Sequence, residues 1–185
     1  MTYPQGDLHR AIFEDPPDTL GDHEHHFGHL IAAMGSMEGI EMARAFAVAG
    51  HRLLAGAGKA GETWEAAHPI LFCYRHALEL YLKALVQPEQ RNHGLQDLWE
   101  ALHNRIRGRF REDHVIWLGA RVREFQTIDP RSTVFRYHDA HPQHIDPELW
   151  VDFNHLAVQA SRMFEAMEAI RLWLMAGRSG EARLG

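Results

Sequence analysis

The sequence predicts an all-α helical bundle of four to six helices with a long final helix, and three observations carry that prediction. The stretch 69–86, PILFCYRHALELYLKALV, is the densest apolar run and is too long for an ordinary strand. Elsewhere apolar residues recur at helical spacing, and no segment alternates with the period of two that a half-buried strand requires. Asp146-Pro147 then opens a segment that keeps a helical pattern to about Ala176, with a carboxylate placed to cap the first turn and proline at its first position.

The elements follow in order. Residues 1–21 carry Pro4, Gly6, Pro16, Pro17 and Gly21 and read as a flexible N-terminal arm. A single domain is expected over 22–176, with 177–185 as a tail. A first helix starts near Asp22 and is interrupted at Gly35-Ser36. Met37 to about Leu54 is a clearer helix, rich in alanines that permit close approach of a neighbour, and the Gly- and Ala-rich 56–61 stretch contains a turn. Pro69 either kinks a long helix or marks the first turn of the central one, and Pro88 stops it. Leu95, Leu98, Trp99, Leu102 and Ile106 define a helix from Gly94 to about Phe110. Glu112 to Ile128 is the next, with Gly119 as its weak point and Asp129-Pro130 as its stop. The stretch 129–146 is longer than a usual connection, which makes it a candidate functional loop.

Composition narrows the function classes. With 185 residues, 45% of them hydrophobic and 24% charged, the chain is long enough to bury a core. No run is apolar enough to span a membrane, and the N-terminus lacks a signal-peptide pattern, so a cytoplasmic protein with no membrane partner is expected. A net charge of −6 argues against a broad basic face gripping a long nucleic acid, though it allows a local basic patch such as Arg105, Arg107, Arg109 and Arg111. The single cysteine, Cys73, falls in the central helix and reads as a buried small hydrophobe. No phosphate-binding glycine motif occurs. All five tryptophans fall in predicted helices, where packing or a subunit contact accounts for them.

Within the central run a polar stripe stands out. Arg75, Glu79 and Lys83 are spaced by one helical turn each, so Glu79 is placed to bridge both cations. The stripe is either a structural ion-pair network or one wall of a polar cleft.

The residues RHALELYLKAL from Arg75 to Leu85, followed by HGLQDL from His93 to Leu98 and by Phe135-Arg136-Tyr137, resemble the HEPN superfamily. The resemblance covers 38–176. It implies a bundle of about four main helices, often dimeric, and for many members a metal-independent endoribonuclease activity in toxin–antitoxin, defence or RNA-processing systems. It also implies an active-site arginine followed, four to six residues later, by a histidine. The nearest match is Arg136 with His141, four residues lying between them. Arginine would meet the charge that develops on phosphorus and histidine would take the proton of the 2′-hydroxyl. Here the pair lies in a loop, whereas in active members it usually opens a helix.

Three readings therefore stand. The first is a HEPN-like ribonuclease using Arg136 and His141, with Arg75, Glu79 and Lys83 in support, no cofactor and no metal, expected as a homodimer with RNA or a partner antitoxin protein as its partner. The second is a non-catalytic HEPN-like module that dimerises or binds a partner, with Arg136 anchoring the loop. The third is a metal-dependent bundle enzyme. Its candidate ligands are His23, His25, His26 and His29, the loop histidines His138, His141 and His144, or the Glu-x-x-His pairs Glu65/His68 and Glu100/His103, with Glu41 and Glu165 as further carboxylates. For each histidine group, a solvated polar cluster is the competing account, and His76 reads most simply as a packed side chain.

Overall fold

The structure is a computed structural model that describes residues 38–61, 64–88, 94–137 and 150–181. The chain divides between Met37 and Glu38, and all described residues belong to the second unit. That unit is all-α: among the described residues it has five helices and no strand. The helix expected near Asp22 and the histidines of the 23–29 group lie outside the described residues.

Helix α1 spans Gly39–Ala60. A capping box between Glu38 and Glu41 starts it. It continues past the expected end at Leu54 because Leu54 and Ala57 are both buried, and packing outweighs the cost of helical glycine. Gly61 ends it in the left-handed region, φ 69°, donating its N–H to the Ala57 carbonyl.

Helix α2, Trp64–Val86, is the hub and touches α1, α3 and α5. It is continuous through Pro69, which sits near its start and removes a single backbone donor there. Tyr74, Ala77, Leu78, Tyr81 and Leu82 are buried along it, as the apolar density of the run requires. Its C-terminal carbonyls are met from α3: Arg105 donates to the Leu85 carbonyl at 2.6 Å and the Val86 carbonyl at 3.3 Å. Part of the basic run is thus committed to a helix cap, and Arg111 pairs with Asp113 at 2.6 Å.

Helix α3 is Leu95–Ile106. It stops short of Phe110 because Gly108 turns left-handed, φ 69°. Its first amide, that of Leu95, donates to the Gln126 side chain at 2.8 Å. Helix α4, Glu112–Ile128, matches its expected bounds. Gly119 is required within it: a Cβ there would lie 2.9 Å from Cζ2 of Trp99, so the absent side chain lets α3 and α4 close together.

Helix α5 spans Phe153–Glu181. It begins after the expected Asp146-Pro147 start, which lies outside the described residues, and residues 150–152 are not helical. Asp152 is the cap, its Oδ1 accepting from the amides of Asn154 at 2.8 Å and His155 at 3.1 Å. It continues through Gly177, where the sequence predicted an end. Trp150 is correspondingly outside any helix and 84% exposed, unlike its expected helical setting.

The main core joins all five helices, with Leu78, Leu82, Leu102, Val122, Met163 and Met167 among its buried members. Across it Glu168 of α5 ties three helices. Its carboxylate takes two bonds from Arg44 of α1, at 2.7 and 2.8 Å, one from the Tyr81 hydroxyl of α2 at 2.9 Å, and one from Arg171 at 2.8 Å. No helix among the described residues is long and apolar enough to cross a membrane.

Candidate polar site at the turn after helix α4

The turn that follows α4 is built by Asp129. Its backbone N–H donates to the Phe125 carbonyl at 2.9 Å, closing the helix. Its Oδ1 then accepts from the amides of Thr133 at 2.6 Å and Val134 at 3.0 Å, so a carboxylate replaces the missing helical carbonyls and folds the chain back. Ser132 adopts the left-handed region, φ 58°, inside this turn. The Thr133 carbonyl accepts from the amides of Arg136 at 3.1 Å and Tyr137 at 2.9 Å. Residues 129–137 are thus a hydrogen-bonded turn rather than a structureless stretch. A small second core of Leu71, Val134 and Phe135 pins it to α2, with Phe125, Val151 and Leu156 packed around.

The polar stripe of α2 reaches this turn. Arg75 is 0% exposed. It donates through Nε to the Asp129 carbonyl at 3.0 Å and pairs through a terminal nitrogen with Glu79 Oε2 at 2.8 Å. Lys83 holds Glu79 Oε1 at 2.7 Å. Glu79 therefore bridges both cations, as its spacing predicted. The Asp129 carboxylate completes the group: its Oδ2 lies 3.6 Å from Arg75 Nε, an ionic contact, and has no hydrogen-bond partner. Two cations and two carboxylates so form one network, buried except at Lys83, whose side chain is 25% exposed. Such a network contributes little net stability against apolar replacements, yet breaking one member strands the others, so it holds the turn in one geometry.

Arg136 stands on the outer side of that turn and is exposed. Its Nε donates to the Ser132 carbonyl. Its guanidinium lies 5.9 Å from the centre of the Phe72 ring and 5.6 Å from that of Tyr137. In the structure the cross-bundle partner of the stripe is Asp129, and Arg136 is fixed by its own turn and by Phe72.

Phe72 links Arg136 to His76. The His76 ring lies parallel to Phe72 at 5.7 Å and meets Phe46 of α1 edge-on at 4.4 Å. Burial pushes the imidazole below its ordinary pKa of 6.5. Glu79 opposes that shift, and the charges of Arg136, Arg75 and Lys83 add to it. A histidine kept neutral and an exposed arginine thus both lie against one phenyl ring. Sequence reasoning passed over Asp129, Phe72 and His76 as site residues. For Asp129 the signal was present: Asp-Pro at a helix end, followed by Ser and Thr, is the composition of a side-chain-capped turn. His138, His141 and His144 lie outside the described residues.

Several of the remaining metal candidates make other contacts. His68 packs edge-on to Phe135, His103 stacks on Trp99, and Glu100 accepts from Gln96 at 2.8 Å. Among the described residues no three His, Cys, Asp or Glu side chains gather into a metal-sized cluster. Comparison of the chain with family models, with curated proteins and with solved structures gives no match in any of the three.

Proposed function

We propose that the chain is a HEPN-like protein that cleaves RNA without a metal ion, in a toxin–antitoxin or defence setting, with Arg136 as the cation that meets the scissile phosphate. The observation that supports this reading is the setting of Arg136. It is an exposed guanidinium on a turn held by Arg75, Glu79 and Asp129, and it and the His76 imidazole both lie against the Phe72 ring. A cation presented on a rigid support costs little reorganisation as charge develops on phosphorus. In this reading His141 takes the proton of the attacking 2′-hydroxyl, and Arg75, Glu79 and Lys83 position the turn. The test is cleavage of total and transfer RNA in excess chelator by the intact protein, by Arg136→Gln and by His141→Ala. The expected loss is about 100-fold or more for each variant. Undiminished cleavage by Arg136→Gln rejects the site, and an inert intact protein rejects the ribonuclease reading.

A second reading, a non-catalytic HEPN-like module that dimerises, draws on a different observation. Met42 and Leu53 lie about three turns apart on one face of α1 and are exposed, and Leu172, Trp173 and Met175 are exposed toward the end of α5. A second chain covering α1 would bury the first two. Light scattering that shows a monomer at high protein concentration rejects this reading.

A further inference from the structure

Helix α1 faces the core with Ala43, Ala47, Gly50, Leu54 and Ala57, and its outer face carries a second pattern. At about 100° per residue that face sorts into three rows. Glu41, Val48, Arg52 and Lys59 fall within about 40° of one another on one edge. Met42, Ala49, Leu53 and Ala60 form the other edge, within a similar arc, and Ala45 and Gly56 run between the two. All of these except Ala49 are exposed. Met42, Val48 and Leu53 are large apolar side chains among them, at 37%, 45% and 43% exposure. Apolar side chains gathered on one outer face, with charges along one edge, are the character of a surface that another helix covers.

The rows are self-complementary, and this selects the occupant. Each is symmetric about a point near the Gly50–His51 peptide bond. Glu41 and Lys59 are equally far from it, as are Ala45 and Gly56, Met42 and Ala60, and Ala49 and Leu53. When two copies of a helix pack antiparallel about a two-fold axis, each edge meets the same edge of the other copy, with the order of residues reversed. Glu41 then stands opposite Lys59 of the other copy, at both ends. On the apolar edge large stands opposite small, Met42 against Ala60 and Leu53 against Ala49. Along the middle Ala45 stands opposite Gly56, where small residues let the axes approach and where a Cβ built on Gly56 meets nothing within 4 Å. Parallel packing instead sets Glu41 against Glu41, Lys59 against Lys59 and Leu53 against Leu53, which repels at both ends and crowds the seam. Opposed helix dipoles favour the antiparallel arrangement as well.

We propose that α1 pairs antiparallel with α1 of a second copy of this chain, about a two-fold axis at the Gly50–His51 step, with a Glu41–Lys59 ion pair at each end. The inference rests on the dimerising reading above and adds the face, the orientation and the register. Helix α1 has 22 residues and so spans about 33 Å. One helix pair of that length lies at the low end of stable interface sizes, and the dimer is accordingly weak and concentration-dependent. The test uses the full chain with Ala45→Cys or Gly56→Cys, one of the two carrying a size tag; the native Cys73 is buried. Under mild oxidation a cross-link is expected when the two variants are mixed and not when either is alone. Two copies of position 45 lie eleven residues apart along the antiparallel pair, about 17 Å, beyond the reach of a disulfide. A cross-link formed by Ala45→Cys alone overturns the proposal by showing parallel pairing. No cross-link in the mixture, where sedimentation velocity shows dimers, overturns the α1 face and leaves the dimerising reading standing, whereas a monomer at every concentration overturns both. Lys59→Glu should weaken self-association about tenfold, and adding Glu41→Lys should restore it. Unchanged association in Lys59→Glu overturns the ion pairs and with them the register. Glu41 also closes the capping box of α1, so circular dichroism checks the double variant for helicity, and the cysteine arm decides the question should that variant unfold.

Discussion

Replacing Glu168 by glutamine tests how the bundle is tied together. The carboxylate takes four hydrogen bonds from Arg44, Tyr81 and Arg171, and these hold its pKa at about 2, down from 4.5. Arg44 is the largest contributor, and burial acts in the opposite sense. Burial, helped by its bond to Glu168 and opposed by Arg44, pushes Tyr81 up to about 12, so its hydroxyl remains a donor at neutral pH. The bond to Glu168 raises Arg44 as well, and since the Glu168 and Arg44 shifts describe one ion pair they are counted once. Lowering the carboxylate from 4.5 to about 2 corresponds to at most about 3 kcal/mol of folding free energy. Glu168 is 28% and Arg44 42% exposed, so solvent screening reduces this to about 1–2 kcal/mol. The sign follows from the depressed folded value. The contribution is complete above the unfolded pKa near 4.5 and is lost as pH falls toward 2. Glu168→Gln should therefore lower Tm by about 2–8 °C at pH 7, and the gap between the two proteins should shrink at pH 3. Thermal melts followed by circular dichroism at pH 7, 5 and 3 measure it. A gap of the same size at pH 3 as at pH 7 would refute the electrostatic account, and no gap at pH 7 would refute the clamp.

Two further outcomes are expected. A Cβ at Gly50 would lie 2.6 Å from the Tyr74 ring, as one at Gly119 would crowd Trp99, so Gly50→Ala and Gly119→Ala should each destabilise by about 1–2 kcal/mol despite alanine's better helix propensity. Gly56, with open space around it, should gain about 0.5–1 kcal/mol on the same change, and urea denaturation of the three variants separates packing from propensity. His76 should titrate below 6.5 in NMR, and Arg136→Gln should move it upward because a nearby positive charge is removed; an unmoved titration would show that the arginine does not act on that ring.

Helix identities were legible where burial and spacing agree. The run 69–86 had to be a central helix because so many apolar side chains need neighbours on most sides, and Glu79 between Arg75 and Lys83 had to be a local bridge because one helical turn separates each pair. Boundaries were legible only where a backbone signal dominates, as for Asp129-Pro130 after α4. Where two signals compete the sequence misplaced the end. The glycines of α1 and Gly177 of α5 permit termination without forcing it, and both helices continue through them. Asp152 opens α5, whereas Asp146-Pro147 carried the stronger local signature.

By itself the sequence determined an all-α chain with a buried central helix, a polar stripe on that helix and a helix stop at Asp129-Pro130. These depend on residue type and on neighbours within a turn or two, which the order of residues specifies directly. Tertiary structure alone decided what the stripe meets. Arg75 and Asp129 are far apart in sequence and become partners because α2 and the end of α4 are brought together around the second small core. Helix packing likewise brings Arg136 onto the Phe72 ring and makes Gly119 a contact with Trp99 in place of a helix breaker. Each is a long-range meeting of side chains, and no local pattern encodes it, because helix propensity fixes which face a residue occupies and packing fixes what lies opposite.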